Sequence, residues 1–185
     1  MSRTIFLVRH GQASAAWNQN PDPGLSSLGR EQAQAVCDHF APGPIRPLFT
    51  SPLLRARETA QPLADRWQQV PVIMPAFAEI PAPADYPVEQ RLQWLLALRD
   101  SRWSDADASL HDWRTTILDA LVALPDGAIV FTHFMVMNVV VGAATANDAL
   151  VCYQPDNTSV LELAVSGKGD IGVVDLGRQA QTRVL

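Results

Sequence analysis

The chain has 185 residues, is 48% hydrophobic, and carries a net charge of −5 from 14 Lys and Arg against 19 Asp and Glu. Length and apolar content predict one domain, residues 1–185, with a sizeable buried core. A single lysine (Lys168) and no basic block argue against nucleic acid as a partner, so any positive potential must come from a few arginines.

Residues 4–8 form a short charge-free run, expected as a strand buried on both faces. That run is too short for a secretory signal core, and the chain is read as cytoplasmic. Residues 18–27 carry loop chemistry, after which Ser26 or Ser27 can cap a helix with an apolar stripe at Ala33, Val36, Cys37 and Phe40. The stretch APGPIRP ends it. Residues 47–50 make a second strand. Ser51 and Pro52 are then expected at the cap and first position of a helix running to about residue 67. Residues 70–74 make a third strand, and the proline-rich residues 75–87 an irregular loop. Helices are predicted over 88–99 and 106–124.

Residues 128–144 contain no charged side chain and stand near the lower length limit of a membrane span. Thr132, His133 and Asn138 interrupt them, so a buried strand running into a buried helix fits better, with no membrane partner. Residues 159–165 and 171–176 flank SGKGD as a late hairpin. Cys37 and Cys152 form no CxxC pair, which points to a reducing compartment rather than to zinc or disulfide chemistry. The alternation of strand and helix predicts an α/β fold: a three-layer α/β/α sandwich whose central sheet is mostly parallel, with a late antiparallel strand.

In such sheets ligands bind beyond the carboxyl ends of the strands. The first strand delivers Arg9, His10 and Gly11 there. The second delivers Ser51 and, a helical turn on, Arg55 and Arg57. The third delivers Glu79 and the fourth His133. Arginine forks bind phosphate bidentately, and a helix N-terminus near Ser51 would add N–H donors. A neutral imidazole can attack phosphorus, and a carboxylic acid can protonate the leaving oxygen. Gly11 would let the backbone approach the ligand closely. Arg57 reads as exposed or paired with Glu58, and His39 and His111 as structural or exposed.

The blocks LVRHGQAS (7–14), LSSLGREQA (25–33), SPLLRARETA (51–60), FAEI (77–80), VFTHFMVMN (130–138) and NTSV (157–160) occur in one order along the chain. Together they resemble the histidine phosphatase superfamily, also called phosphoglycerate mutase-like. The resemblance implies that His10 is the nucleophile and forms a phosphohistidine. Arg9, Arg55 and His133 would hold the phosphoryl oxygens, and Glu79 would be the proton donor and then the base for water. Gln12 and Ser14 either line the phosphate site or shape its loop, and Phe134 would form part of the site's wall. No cofactor or metal is implied, and the partner would be a small-molecule phosphoester or a phosphorylated protein.

Four positions depart from the family's pattern. Phe134 and Met135 follow the second histidine where glycines are usual, predicting a bulkier and more apolar pocket wall. Ala16 stands where the family often has asparagine, with Asn18 nearby, and Gln12 replaces a common glutamate. The same residues also suit a phosphoglycerate-type mutase, a protein phosphohistidine phosphatase, or a phosphoanion-binding module without catalysis. Two histidines and a carboxylate could form a facial triad for a metal, but Arg9 beside His10 would repel a cation.

Overall fold

The computed structural model describes residues 2–15, 20–81, 87 and 90–180. Six strands form one sheet in the order β3-β2-β4-β1-β5-β6. They are β1 (Arg3–Arg9), β2 (Leu48–Thr50), β3 (Val72–Ile73), β4 (Ile129–Thr132), β5 (Val160–Val165) and β6 (Ile171–Asp175). The first four run parallel; β5 pairs antiparallel with β1 and β6 antiparallel with β5. The mostly parallel sheet with late antiparallel pairing is the architecture expected from the sequence.

Helices cover both faces. On one side α1 (Ser27–Phe40) and α2 (Leu54–Trp67) pack on Val8, Leu48, Ile129 and Phe131. On the other, α4 (Ala108–Ala123) and α5 (Phe134–Ala144) pack on Ile5, Leu7, Val130, Leu161 and Leu163. The side chains of α3 (Arg91–Leu98) that join this layer include Trp94 and Leu98. Alternate residues of β1 and β4 thus serve two separate cores, as the two-residue period of a strand requires. All four residues of β4 are buried, so the uncharged stretch at 128–144 is a central strand feeding a core helix. Among the described residues no helix is long and apolar enough to cross a membrane.

Three expectations are corrected at the edges of elements. The third strand pairs only over Val72–Ile73, and Val70 is 91% exposed, because β3 is an edge strand with a two-residue ladder. The loop from residue 75 opens with a 3-10 turn at Pro75–Phe77 and buries Phe77 and Ile80 completely. Helix α2 starts at Leu54, with Leu53 as its N-cap, rather than at Ser51 and Pro52. By contrast Ser26 caps α1 as expected, its Oγ accepting from the Gly29 N–H at 3.0 Å.

One register matters most for function. Strands β1 and β4 are neighbours, and Arg9 lies opposite Thr132. The next residue of each strand, His10 and His133, therefore leaves the sheet side by side.

Candidate active site

The two imidazoles meet with ring centroids 5.2 Å apart. The backbone around His10 is fixed on both sides: its N–H donates to Thr132 O at 3.0 Å, and its carbonyl accepts from Asn157 Nδ2 at 3.1 Å. His10 Nδ1 lies 2.7 Å from Gly11 O. A carbonyl only accepts, so Nδ1 carries the hydrogen and Nε2 keeps its lone pair. Arg55 Nε donates to that Nε2 at 3.2 Å. Burial, then Arg55 and Arg9, hold the His10 imidazole well below its ordinary pKa, so the ring is neutral.

Arg55 projects from the first turn of α2, is 6% exposed, and approaches Asp22 at 4.0 Å. Asp22 Oδ1 also accepts from the Leu54 N–H at 2.7 Å. The Leu53 N–H is taken in turn by Ser51 Oγ at 3.2 Å. The start of α2 is thus closed by two protein oxygens, and the expected anion seat on its backbone is not open. Ser51 is not a helix cap. It sits at the end of β2, and its Oγ lies 2.6 Å from His133 Nε2.

His133 is completely buried as the N-cap of α5, and burial followed by Arg55, His10 and Arg9 lowers its pKa strongly. The next two residues also reach the site. The Phe134 ring lies under the Arg9 guanidinium, with Arg9 Cζ 5.2 Å from its centroid. The Met135 N–H donates to Glu79 Oε1 at 3.2 Å, and the Ile80 N–H donates to the same oxygen at 3.0 Å. Glu79 is half-buried, and burial pushes its carboxyl above the ordinary range against the opposing pull of Arg55, the Ile80 N–H, Arg9 and the Met135 N–H.

Arg9 Nη1 donates to Pro155 O at 2.8 Å. Among the described residues, the buried side-chain polar atoms without a hydrogen bond include Arg9 Nε, Arg55 Nη1 and His133 Nδ1. Buried donors left unpaired are costly, of the order of 1–3 kcal/mol each, more when charged. The two arginine atoms are donors, His133 Nδ1 is one in the Nδ1–H tautomer, and all three belong to side chains gathered around one neutral imidazole. No three His, Cys, Asp or Glu side chains among the described residues cluster closely enough to hold a metal ion.

The family model of the histidine phosphatase superfamily (branch 1) matches residues 5–175. The chain belongs to this superfamily. A 2,3-bisphosphoglycerate-dependent phosphoglycerate mutase of Chelativorans sp. is 43% identical over 67 residues, 32% of each chain. The chain spans only 15% to 36% of the length of the curated relatives it matches. A mycobacterial glucosyl-3-phosphoglycerate phosphatase superposes with a TM-score of 0.76 over 97% of this chain and 100% of its own, at 20% identity. The phosphoserine phosphatase of Entamoeba histolytica, solved with 3-phosphoglyceric acid, gives 0.72 over 96% and 98%, at 17% identity. At those identities the likeness is one of fold.

Within this superfamily fold, Arg9, His10, Arg55, Glu79 and His133 lie together. Other expected residues lie elsewhere. Gln12 Oε1 accepts from Ser26 Oγ at 2.7 Å, and Gln12 N donates to Gln32 Oε1, so Gln12 shapes the loop onto α1. Ser14 is exposed, its N–H donating to Gly24 O. Arg57 is exposed, and Glu58 accepts from the Leu25 N–H at 2.6 Å instead of pairing with it. Ala16 and Asn18 fall outside the described residues. Gly11 serves packing: a Cβ there would stand 2.6 Å from Gly29 O, so β1's exit crosses α1 backbone to backbone.

Sequence reasoning missed four supports: Asn157 under His10, Thr59, Asp22, and Ser51 as the brace of His133. Thr59 Oγ1 accepts from the Gly11 N–H at 3.0 Å and donates to Arg55 O at 2.6 Å, linking the two site segments. Asn157, Thr59 and Ser51 lie within the sequence blocks that carry the resemblance, and Asp22 lies outside them. Thr158 holds a left-handed φ of 56° while its N–H donates to Arg9 O at 3.1 Å.

Proposed function

We propose that this chain is a phosphomonoester hydrolase working through a phosphohistidine on His10, with Glu79 as proton donor. The observation that carries the reading is the set of buried nitrogens without a hydrogen bond on Arg9, Arg55 and His133 beside the lone pair of His10 Nε2. His10 Nε2 attacks phosphorus as the P–O bond to the alcohol breaks. Glu79, its carboxyl held above the ordinary range, gives its proton to the leaving oxygen. Its Oε1 is held by two N–H groups, which leaves the proton to Oε2. Glu79 then takes a proton from water, the water attacks the phosphohistidine, and phosphate leaves. The arginines spread the charge of the transferring group, and His133 adds its Nδ1–H in the tautomer in which the Ser51 O–H donates to Nε2.

The substrate is a small-molecule phosphoester, and the chain acts as one cytoplasmic domain. A screen of phosphomonoesters against wild type and His10→Ala tests the reading. Turnover in the wild type that is abolished in the variant supports it; equal turnover in both removes it. The mutase relative motivates a second reading, return of the phosphoryl group to a bound acceptor acid. A coupled assay of 2- and 3-phosphoglycerate interconversion with a bisphosphate primer separates the two.

A further inference from the structure

We infer that Phe134 is a positioning residue for phosphate binding, holding the Arg9 guanidinium on its ring face so that its charge is presented to the phosphoryl group without a direct ion pair. The inference rests on the phosphate binding proposed above but not on turnover.

Arg9 is 9% exposed, yet among the described residues it makes no ion pair. Its Nη1 is held by the Pro155 carbonyl at 2.8 Å, and its Nε has no partner. A buried cation needs some compensation. Glu79 and Asp156 act on that charge from beyond ion-pair distance, and the negative face of Phe134 lies 5.2 Å from Cζ to ring centroid. A carboxylate in that place would hold Arg9 equally well, but it would also repel an incoming phosphate. An aromatic face orients the guanidinium without cancelling its charge. The ring is itself fixed: Phe134 is 6% exposed, is the first residue of α5, and sits between the buried His133 and the Met135 N–H on Glu79. Three consecutive residues thus each set one member of the site. This differs from a pocket wall that touches the organic part of the substrate.

The test is calorimetric titration with inorganic phosphate, which has no organic part. In Phe134→Leu, which keeps the apolar volume but removes the ring face, phosphate should bind about three- to thirtyfold more weakly. Phe134→Tyr should bind within about twofold of wild type, since it keeps the face. Pentafluorophenylalanine at 134 keeps the shape and reverses the ring's charge distribution; it should weaken phosphate binding at an unchanged melting temperature. Unchanged phosphate affinity in the leucine and fluorinated proteins overturns the inference. So does a wild type that binds no phosphate. A wild type that binds phosphate with the stated dependence on residue 134, but hydrolyses no phosphoester, removes only the catalytic reading.

Discussion

Arg55 Nε donates to His10 Nε2 across 3.2 Å, so the proposed nucleophile and the proposed phosphate clamp are hydrogen-bonded to one another. The contact orients the lone pair, and it must give way when a phosphoryl group arrives. Arg55→Lys keeps the charge but loses the planar fork and its Nε–H. We expect kcat/KM to fall about 100-fold, equivalent to ~3 kcal/mol, as for a lost hydrogen bond to a charged group. Steady-state kinetics of the purified variant check this; wild-type kcat/KM would mean that Arg55 does not meet the transition state.

Glu79→Gln removes a transferable proton while keeping the shape and the acceptor for the Ile80 and Met135 N–H groups. For an alkyl phosphate, kcat should fall by about 10²–10⁴. With p-nitrophenyl phosphate the leaving group needs no proton, so the first step should survive. Stopped-flow absorbance should then show a burst of nitrophenolate followed by slow turnover, because the base for water is missing. An equal loss for both substrates without a burst would assign Glu79 another role.

The pKa directions make a statement about acid stability. Folded His10 and His133 both lie well below the ordinary 6.5, so as pH drops through that value the unfolded chain takes up protons that the folded chain refuses. Stability therefore falls below about pH 6.5. Glu79 has the opposite sign: its raised pKa makes a contribution that is present at low pH and lost as pH rises through its folded value. Melting temperatures from pH 7 to pH 5 should drop less steeply in a His10→Asn, His133→Asn double variant than in wild type. Parallel curves would show that the imidazoles do not resist protonation.

Gly29→Ala should damage fold and site together. Its Cβ would fall 2.1 Å from Gln12 O, a backbone atom that has no flexible side chain to yield. Overpacking of this kind costs about 1–3 kcal/mol, and it would shift the segment that begins at His10. Thermal melts and kcat measured on one preparation should both decline; an unchanged melt would mean that the crossing of loop and helix is looser than the distance implies.

How much of this was legible in sequence follows from what each feature depends on. The strands and their ends were visible because burial on two faces leaves unbroken apolar runs, as at residues 4–8 and 128–132, and each ended in a residue of the site. The pairing of His10 with His133 was not visible, because it needs β1 and β4 to be neighbours in register. Ser51 looked like a helix cap because Ser-Pro is a common helix opening. Its hydroxyl instead braces His133, a residue far along the chain. Gly11 looked like a ligand-facing glycine, and its real neighbour, Gly29, lies on another element. Gln12 could either line the pocket or shape the loop, and its hydrogen bonds to Ser26 and Gln32 tie it to α1 and the loop before it. In each case the local signal was real, and its partner was set by tertiary packing.

The covalent step is tested most directly by trapping the intermediate. Wild type mixed with a phosphoester, quenched in alkaline denaturant and digested without acid, should yield a phosphorylated peptide carrying residues 9–11. The modification should lie on His10, disappear on brief acid treatment, and be absent from His10→Ala. A wild type that turns over substrate while no phosphate is found on His10 at any quench time, with the label on another residue or on none, would contradict the account.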